Sequence, residues 1–168
     1  MGNSPPRGAP FAALQGPAAS TLVCFTIGER TYALALEHVK ELLRMVAITP
    51  LSNVPSEVVG AINLRGHIIP VISLRARMGL PSREPTLTDR IMVVHAGEQT
   101  VGLLVDGVEE VVTAEQVEVQ SVAVDPTGQR TSLVAQLHDR SIPVLEPEML
   151  YAPEEMGSVP ISRSEGMP

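Results

Sequence analysis

The sequence predicts an all-β protein made of two copies of one small module. Valine, whose branched Cβ favours strands, is frequent along the chain, and only 2 % of the residues are aromatic, so the core is aliphatic. The segment that begins at Gly28 recurs without gaps from Gly97, and Ile-Pro-Val-Ile at 69–72 returns as Ile-Pro-Val-Leu at 142–145. Two echoes in the same order, at nearly the same offset, indicate an internal duplication.

Within the first copy, short apolar segments and turn residues define the elements. A strand at 22–27 is followed by Gly28-Glu29, a tight turn in which glycine accepts a positive φ. The next strand alternates and is predicted to place Tyr32, Leu34 and Leu36 on one face, with Val101, Leu103 and Val105 as their counterparts in the second copy. A helical turn is predicted at 37–44, with Val39, Leu42 and Leu43 facing inward, and strands follow at 60–64 and 68–74.

Such a module, of about five short strands, is too small for a sandwich but can close as a barrel, which hides its strand edges. We therefore expect two small barrels side by side. The tails 1–20 and 152–168 are rich in Pro, Gly, Ala and Ser and are predicted to be disordered, which leaves a body at 21–151. The barrel halves are predicted at about 21–80 and 90–151, with any strand exchange between them left open.

The charge and hydropathy of the chain exclude several classes of partner. The net charge is −7 and no basic cluster appears, which argues against nucleic acid and against an anionic membrane surface. No apolar run approaches the ~18 residues of a spanning helix, so no membrane insertion is expected. The single cysteine, Cys24, cannot form an internal disulfide. We expect a cytoplasmic protein.

No residue pattern indicates catalysis, a metal or a cofactor. The four histidines, at 38, 67, 95 and 138, show no ligand spacing, and Cys24 lies between apolar strand residues, as a buried hydrophobe would. The chain has neither a phosphate-binding loop nor a nucleophile elbow. Asp106 with Glu109 and Glu110 is a conceivable carboxylate pair, but an acidic turn is the commoner explanation. We predict a protein that is not an enzyme and binds no cofactor.

Arg65 is the one charge in an unexpected place. It stands in the turn Asn63-Leu-Arg-Gly66, between the apolar residues Ile62 and Ile68, and Glu41 is a plausible partner. Two interpretations stay open at this point. The pair is either an ordinary surface ion pair or part of a rigid docking patch among exposed apolar groups.

The string at 60–75, Gly-Ala-Ile-Asn-Leu-Arg-Gly-His-Ile-Ile-Pro-Val-Ile-Ser-Leu-Arg, resembles the signature of the CheW family of chemotaxis coupling proteins. The segments at 25–41 and 101–112 resemble that family as well, and the resemblance covers about 21–151. It implies two five-stranded SH3-like barrels and a non-enzymatic adaptor. Members bind the cytoplasmic tip of methyl-accepting chemoreceptors and the regulatory domain of a CheA-type histidine kinase, and they are recruited to receptor arrays.

Position by position, the resemblance implies two binding surfaces. The kinase-binding surface falls on Val39, Glu41, Leu42, Gly60 and Arg65. The receptor-binding groove, between the barrels, includes Ile68, Ile91 and Gly102 and would accept an apolar stripe of a helical hairpin. For Ile68 and Ile91, simple barrel core is the alternative.

The chain departs from the family pattern at a few positions. Ser73 replaces the usual aspartate, which predicts the loss of a hydrogen bond, and Pro147 is predicted to interrupt the final helix. The loop at 118–130 is shortened and the closing segment lacks its usual glycine. An alternative function therefore stays open: a divergent CheW-like accessory protein that binds receptor or another partner but not the kinase.

Overall fold

The computed structural model describes residues 21–113, 115–128 and 131–150, and the predicted tails lie outside these residues. Within them, no helix is long and apolar enough to cross a membrane. Strands dominate, which confirms the all-β prediction. The strands are β1 Leu22–Ile27, β2 Arg30–Ala35, β3 Val39–Arg44, β4 Val58–Leu64, β5 His67–Ser73, β6 Arg90–Ala96, β7 Gln99–Val105, β8 Gly107–Val112, β9 Glu118–Ala123, β10 Thr131–Leu137 and β11 Arg140–Leu145. Two one-turn helices, α1 Leu74–Arg77 and α2 Pro147–Leu150, complete the described chain.

The chain divides into two compact units. The first unit contains the described residues up to 37 together with 108–146, and its six-stranded sheet has the order β8-β1-β2-β11-β10-β9. This unit buries the stacked rings of Phe25 and Tyr32 and has, in addition, an aliphatic core with one thiol. The buried residues of that core are Leu22, Cys24, Ala33, Ala35, Val112, Leu133, Ala135, Leu137, Ile142 and Val144.

The second unit contains residues 38–107 and α2, with a five-stranded sheet in the order β3-β6-β7-β5-β4. Beyond β3 the chain returns to the far edge of this sheet, where Thr49 and Ala61 exchange both backbone hydrogen bonds at 2.8 Å. This bridge closes the sheet on itself. The closed sheet surrounds an all-aliphatic core of Ile62, Ile69, Val71, Ile91 and Val93.

The duplication read from the sequence is visible in matching hairpins. Gly28 opens the β1–β2 turn at φ 65° and Gly97 opens the β6–β7 turn at φ 67°, so both copies use glycine at the position that requires positive φ. The Ile-Pro-Val segments become β5 and β11, and each forms a parallel pair, β5 with β7 and β11 with β2.

The predicted barrel halves do not coincide with the two units. The β1–β2 hairpin of the first copy pairs with strands of the second copy, and the β6–β7 hairpin of the second copy pairs with β3 and β5 of the first. Because the parallel partners β2 and β11 are distant in sequence, no local pattern could assign them to one sheet. Each unit therefore combines strands from both copies, an exchange that the prediction had left open.

The helical turn predicted at 37–44 is wrong in its larger part. Only Leu36–His38 forms a 3-10 turn, and β3 follows it with an alternation of half-buried and exposed residues. A bulge lies between Val39 and Glu41, but the burial alternates through it. The apolar residues mimic helical spacing because the polar Glu41 occupies an inner position and the apolar Leu42 an outer one. Leu42, predicted to face inward, is exposed, and so is Leu36, which was predicted to share a face with the buried Tyr32 and Leu34.

The departures from the family pattern are accommodated by the fold. Ser73 caps α1, since its hydroxyl accepts a hydrogen bond from the Ala76 N–H at 3.2 Å, so the predicted loss of a hydrogen bond is wrong. Pro147 does not interrupt the final helix but begins it, at a position where the missing N–H has no helical partner anyway. The segment at 118–130, read as a shortened loop, contains the edge strand β9.

Candidate docking surface

The turn between β4 and β5 holds Arg65 in a fixed orientation. Leu64 and His67 are the last paired residues, so Arg65 and Gly66 form a two-residue loop, with φ of 52° and 86°. Two successive positive φ values are characteristic of a type I′ turn, a conformation that costs a non-glycine residue about 1–2 kcal/mol. The Asn63 side chain offsets part of this cost, because its Oδ1 accepts a hydrogen bond from the Gly66 N–H at 2.8 Å.

The guanidinium of Arg65 donates two parallel hydrogen bonds to the Glu41 carboxylate. The Nη1–Oε2 distance is 2.6 Å and the Nη2–Oε1 distance is 2.7 Å. The hydrogen bond from Arg65 lowers the pKa of Glu41, so the carboxylate is ionised at neutral pH. The Arg65 side chain nevertheless remains 70 % exposed. Its orientation is fixed while one edge of the guanidinium stays available to a partner.

On β3, the predicted kinase-binding residues lie on two faces. Glu41 and Leu43 share a face with Val93 and Ile91, their partners in β6, and Leu43 packs on the core of the second unit. Leu42 lies on the opposite face and is 47 % exposed. Val39 is half-buried. Leu42 and Arg65 are therefore the exposed residues of this set, whereas the Glu41 side chain is bound by Arg65 and is only 21 % exposed.

Gly60, which was predicted to bind the kinase, has a structural role in the fold. A Cβ at this position would overlap the backbone carbonyl oxygen of Thr49 and approach the Cγ2 of Ile48 to 2.7 Å. Thr49 belongs to the bridge that closes the second unit. Glycine is needed here because two backbone segments cross in close contact, beside the bulge that separates Val58 from Gly60 in the register of β4.

The predicted receptor-binding residues lie on three neighbouring strands. Ile68 is in β5, Ile91 in β6 and Gly102 in β7, and Gly102 pairs with both Val71 and Val93. Ile91 is 0 % exposed and belongs to the core, whereas Ile68 is half-buried. A Cβ on Gly102 would stand 2.9 Å from the Ile91 Cγ2 atom. Ile91 and Gly102 pack against each other, so of the three only Ile68 presents side-chain surface.

A charge network in the second unit was missed by sequence reasoning. Arg83 donates to both oxygens of Asp89, at 3.0 and 3.1 Å, and to Asp106 at 2.9 Å, and Arg75 donates to Asp106 at 2.8 Å. The Asp89 side chain is only 3 % exposed and also accepts hydrogen bonds from the Thr86 N–H and hydroxyl. One sequence signal could have indicated part of this network: the spacing Thr86-x-x-Asp89 is typical of a turn that is capped by a side chain.

The acidic residues and the cysteine that were considered as candidates for catalysis have structural roles. Asp106 binds the two arginines of that network, and Glu109 and Glu110 each lie 3.6 Å from Arg140. Burial raises the pKa of Cys24 to about 11, so its thiol stays protonated and unreactive at neutral pH. Among the described residues, no three His, Cys, Asp or Glu side chains come together as metal ligands would.

Comparison with known proteins places this geometry in a family. The family model described as the CheW-like domain matches residues 21–155. Chemotaxis protein CheW of Rhizobium meliloti (strain 1021) is 30 % identical over 137 residues, which are 80 % of this chain and 88 % of the relative. Chemotaxis protein CheW of Klebsiella aerogenes is 33 % identical over 141 residues, 80 % of this chain and 83 % of the relative.

A solved structure agrees with these relatives. The crystal structure of the scaffolding protein TtCheW from Thermoanaerobacter tengcongensis superposes with a TM-score of 0.67 at 30 % identity, over 80 % of this chain and 93 % of that protein. The family match, the relatives and the shared fold all span the two units and the Asn63–Gly66 turn. The chain belongs to the CheW-like domain family.

Proposed function

We propose that this protein is a non-enzymatic adaptor that couples methyl-accepting chemoreceptors to a CheA-type histidine kinase. The observation that carries the proposal is the match to the CheW-like domain over residues 21–155, with relatives that are named chemotaxis proteins. The adaptor needs no cofactor and performs no reaction of its own. It works in the cytoplasm, where the receptor tips and the kinase meet, and it is recruited there to receptor arrays.

The kinase regulatory domain docks on the surface around Arg65. Support comes from the way this side chain is held: the Asn63 hydrogen bond fixes the turn, and Glu41 fixes the guanidinium without covering it. A partner that meets a pre-oriented charge loses little side-chain entropy on binding. Leu42 adds apolar area, whereas Gly60 and Val39 contribute by shaping β3 and β4.

The receptor tip docks at Ile68 on β5, with Ile91 and Gly102 in the neighbouring strands β6 and β7. Ile91 is fully buried, so its effect on receptor binding is indirect. It fills the space above Gly102 and thereby sets the shape of the surface that β5, β6 and β7 present. A helical receptor hairpin would contribute the apolar stripe that covers Ile68.

Arg65→Glu is expected to weaken binding of the kinase regulatory domain by about tenfold or more, because it reverses a rigidly presented charge in the interface. The measurement is a calorimetric titration of this protein against the regulatory domain of its own organism's chemotaxis kinase. Circular dichroism of the variant checks that the fold is unchanged.

A swapped pair is the matched control for this titration. In the double variant Glu41→Arg/Arg65→Glu the internal ion pair is restored with reversed polarity. If Arg65 touches the kinase, the double variant still binds weakly, whereas full recovery would mean that only the internal pair matters. If folded wild-type protein does not bind the kinase domain at all, the kinase-coupling role is wrong, and an accessory role on receptors takes its place.

A further inference from the structure

Two arginines stand side by side on the second unit. Arg44 at the end of β3 and Arg90 at the start of β6 are directly paired across the strands, so their side chains leave the same face. Within the part of the chain that the structure describes, no carboxylate lies within ion-pair distance of either residue. Like charges opposite each other destabilise a sheet. The net charge of the chain is −7, so two adjacent arginines stand out against an otherwise acidic sequence.

Exposed leucines flank this arginine pair on both sides. Leu42 lies two residues before Arg44, hence on the same face of β3, and is 47 % exposed. Leu87 lies beyond Arg90, whose Nη1 donates to the Leu87 carbonyl oxygen at 3.3 Å, and is 87 % exposed. We call Leu42, Arg44, Arg90 and Leu87 together the arginine strip.

The loop that carries Leu87 is built rigidly. Arg90 donates to two further carbonyl oxygens, those of Thr88 and Asp89, at 3.0 and 2.9 Å. The buried Asp89 carboxylate ties the loop down through Arg83 and Thr86. These hydrogen bonds fix the loop that exposes Leu87 to water. Leu87 therefore loses little conformational entropy when a partner covers it, as an anchor residue of an interface should.

We propose that the arginine strip extends the kinase-docking surface and that it receives an acidic segment of the kinase regulatory domain, whose carboxylates lie between two apolar side chains. The inference rests on the proposed function and names the chemistry of the partner at that site. Two observations support the kinase as the occupant. Leu42 is the direct neighbour of Glu41 in β3, so the strip and the surface around Arg65 lie on the two faces of one strand. The positive charges of Arg44 and Arg90 are complementary to carboxylates.

Arg44→Glu separates a docking role from a structural one. It places a glutamate opposite Arg90, so it should raise Tm by about 1–3 °C, because a cross-strand pair of opposite charges replaces a pair of like charges. The same variant should bind the kinase regulatory domain about tenfold or more weakly in calorimetric titration. A purely structural role could not produce a more stable protein that binds less tightly.

Two further variants complete the test. Leu87→Ser should weaken the same complex several-fold without a change in Tm, since Leu87 is almost fully exposed. Arg30→Glu, a charge reversal at an exposed position of β2 in the first unit, is the matched control and should leave the affinity unchanged. Raising NaCl from about 50 to about 500 mM should weaken wild-type binding more than that of Arg44→Glu.

The outcomes separate the inference from the function on which it rests. Equal affinities for wild type, Arg44→Glu and Leu87→Ser would overturn the inference and leave the kinase-coupling role intact. Loss of affinity only towards the receptor hairpin, titrated in parallel, would also overturn it, because the strip would then serve the receptor. If folded wild-type protein fails to bind the kinase domain, the proposed function and this inference are both wrong.

Discussion

Asp89→Ala is expected to lower the free energy of unfolding by about 2–4 kcal/mol, because it removes the two hydrogen bonds that Arg83 donates to Asp89 and leaves the Thr86 N–H without its acceptor. Asp89 is the one charged residue among the described positions that is fully buried, and it joins the loop before β6 to the rest of the second unit. Urea denaturation followed by circular dichroism measures the loss.

A neighbouring acid offers the control for this experiment. Glu84→Ala removes an exposed carboxylate from the same loop and should change stability by no more than about 0.5 kcal/mol. An equally small effect of Asp89→Ala would contradict the structural role assigned to the network.

The Asp89 carboxylate also makes the stability of the fold depend on pH. Burial alone would raise its pKa, but hydrogen bonds from Arg83 and Thr86 lower it, and the net pKa lies below the ordinary value. Its contribution to stability is therefore complete above the ordinary aspartate pKa and is lost as the pH falls through the folded-state pKa. Asp89→Asn should lack this part of the acid sensitivity.

Gly60→Ala is expected to destabilise the protein by about 2–3 kcal/mol, since the added methyl group meets the backbone of Thr49 at the bridge that closes the second unit. Backbone cannot rotate away as a side chain can, so the strands must separate locally. Thermal unfolding should show a lowered Tm, and amide exchange should be faster at Ala61 and Thr49, which form the bridge.

Gly102→Ala is the matched comparison. Its added methyl group meets only the Cγ2 of Ile91, a side-chain atom 2.9 Å away that can shift, so a loss of about 1 kcal/mol is expected. If Gly60→Ala were no worse than Gly102→Ala, the close crossing of the two backbone segments would not be the reason for glycine at position 60.

The hairpins of this fold could be predicted from sequence because their signals are local. Gly28 and Gly97 supply the positive φ that each turn requires, and the strands that follow are mostly apolar and buried. The pairing of Arg65 with Glu41 could also be anticipated, since a lone charge between apolar strands needs a partner. The two parallel hydrogen bonds and the positive φ of Arg65 are visible only in the structure.

Two features could not be predicted, for different physical reasons. The burial in β3 keeps a two-residue period, but Glu41 fills an inner position and Leu42 an outer one, so the apolar residues show an apparent helical spacing and Leu42 was assigned to the core instead of the surface. The exchange of hairpins between the copies depends on the pairing of β2 with β11 and of β5 with β7. Alternation tells which face of a strand is buried but not which strand lies beside it.

The arginine strip shows the same limit. Arg44, Leu87 and Arg90 carry no sequence pattern that unites them, because Arg44 is brought to Arg90 only by the register of β3 on β6. The burial of Asp89 is equally invisible in a segment rich in Pro, Ser and Thr that reads as an ordinary loop. Surfaces composed of distant segments require the fold before they can be recognised.

Reconstitution of kinase activity tests the central claim most directly. Membranes that contain the receptor are mixed with the CheA-type kinase, and autophosphorylation is measured with and without this protein. If the protein couples the two, kinase activity rises only when all three components are present, and Arg65→Glu fails to raise it. Folded wild-type protein that leaves the kinase activity unchanged would contradict the account.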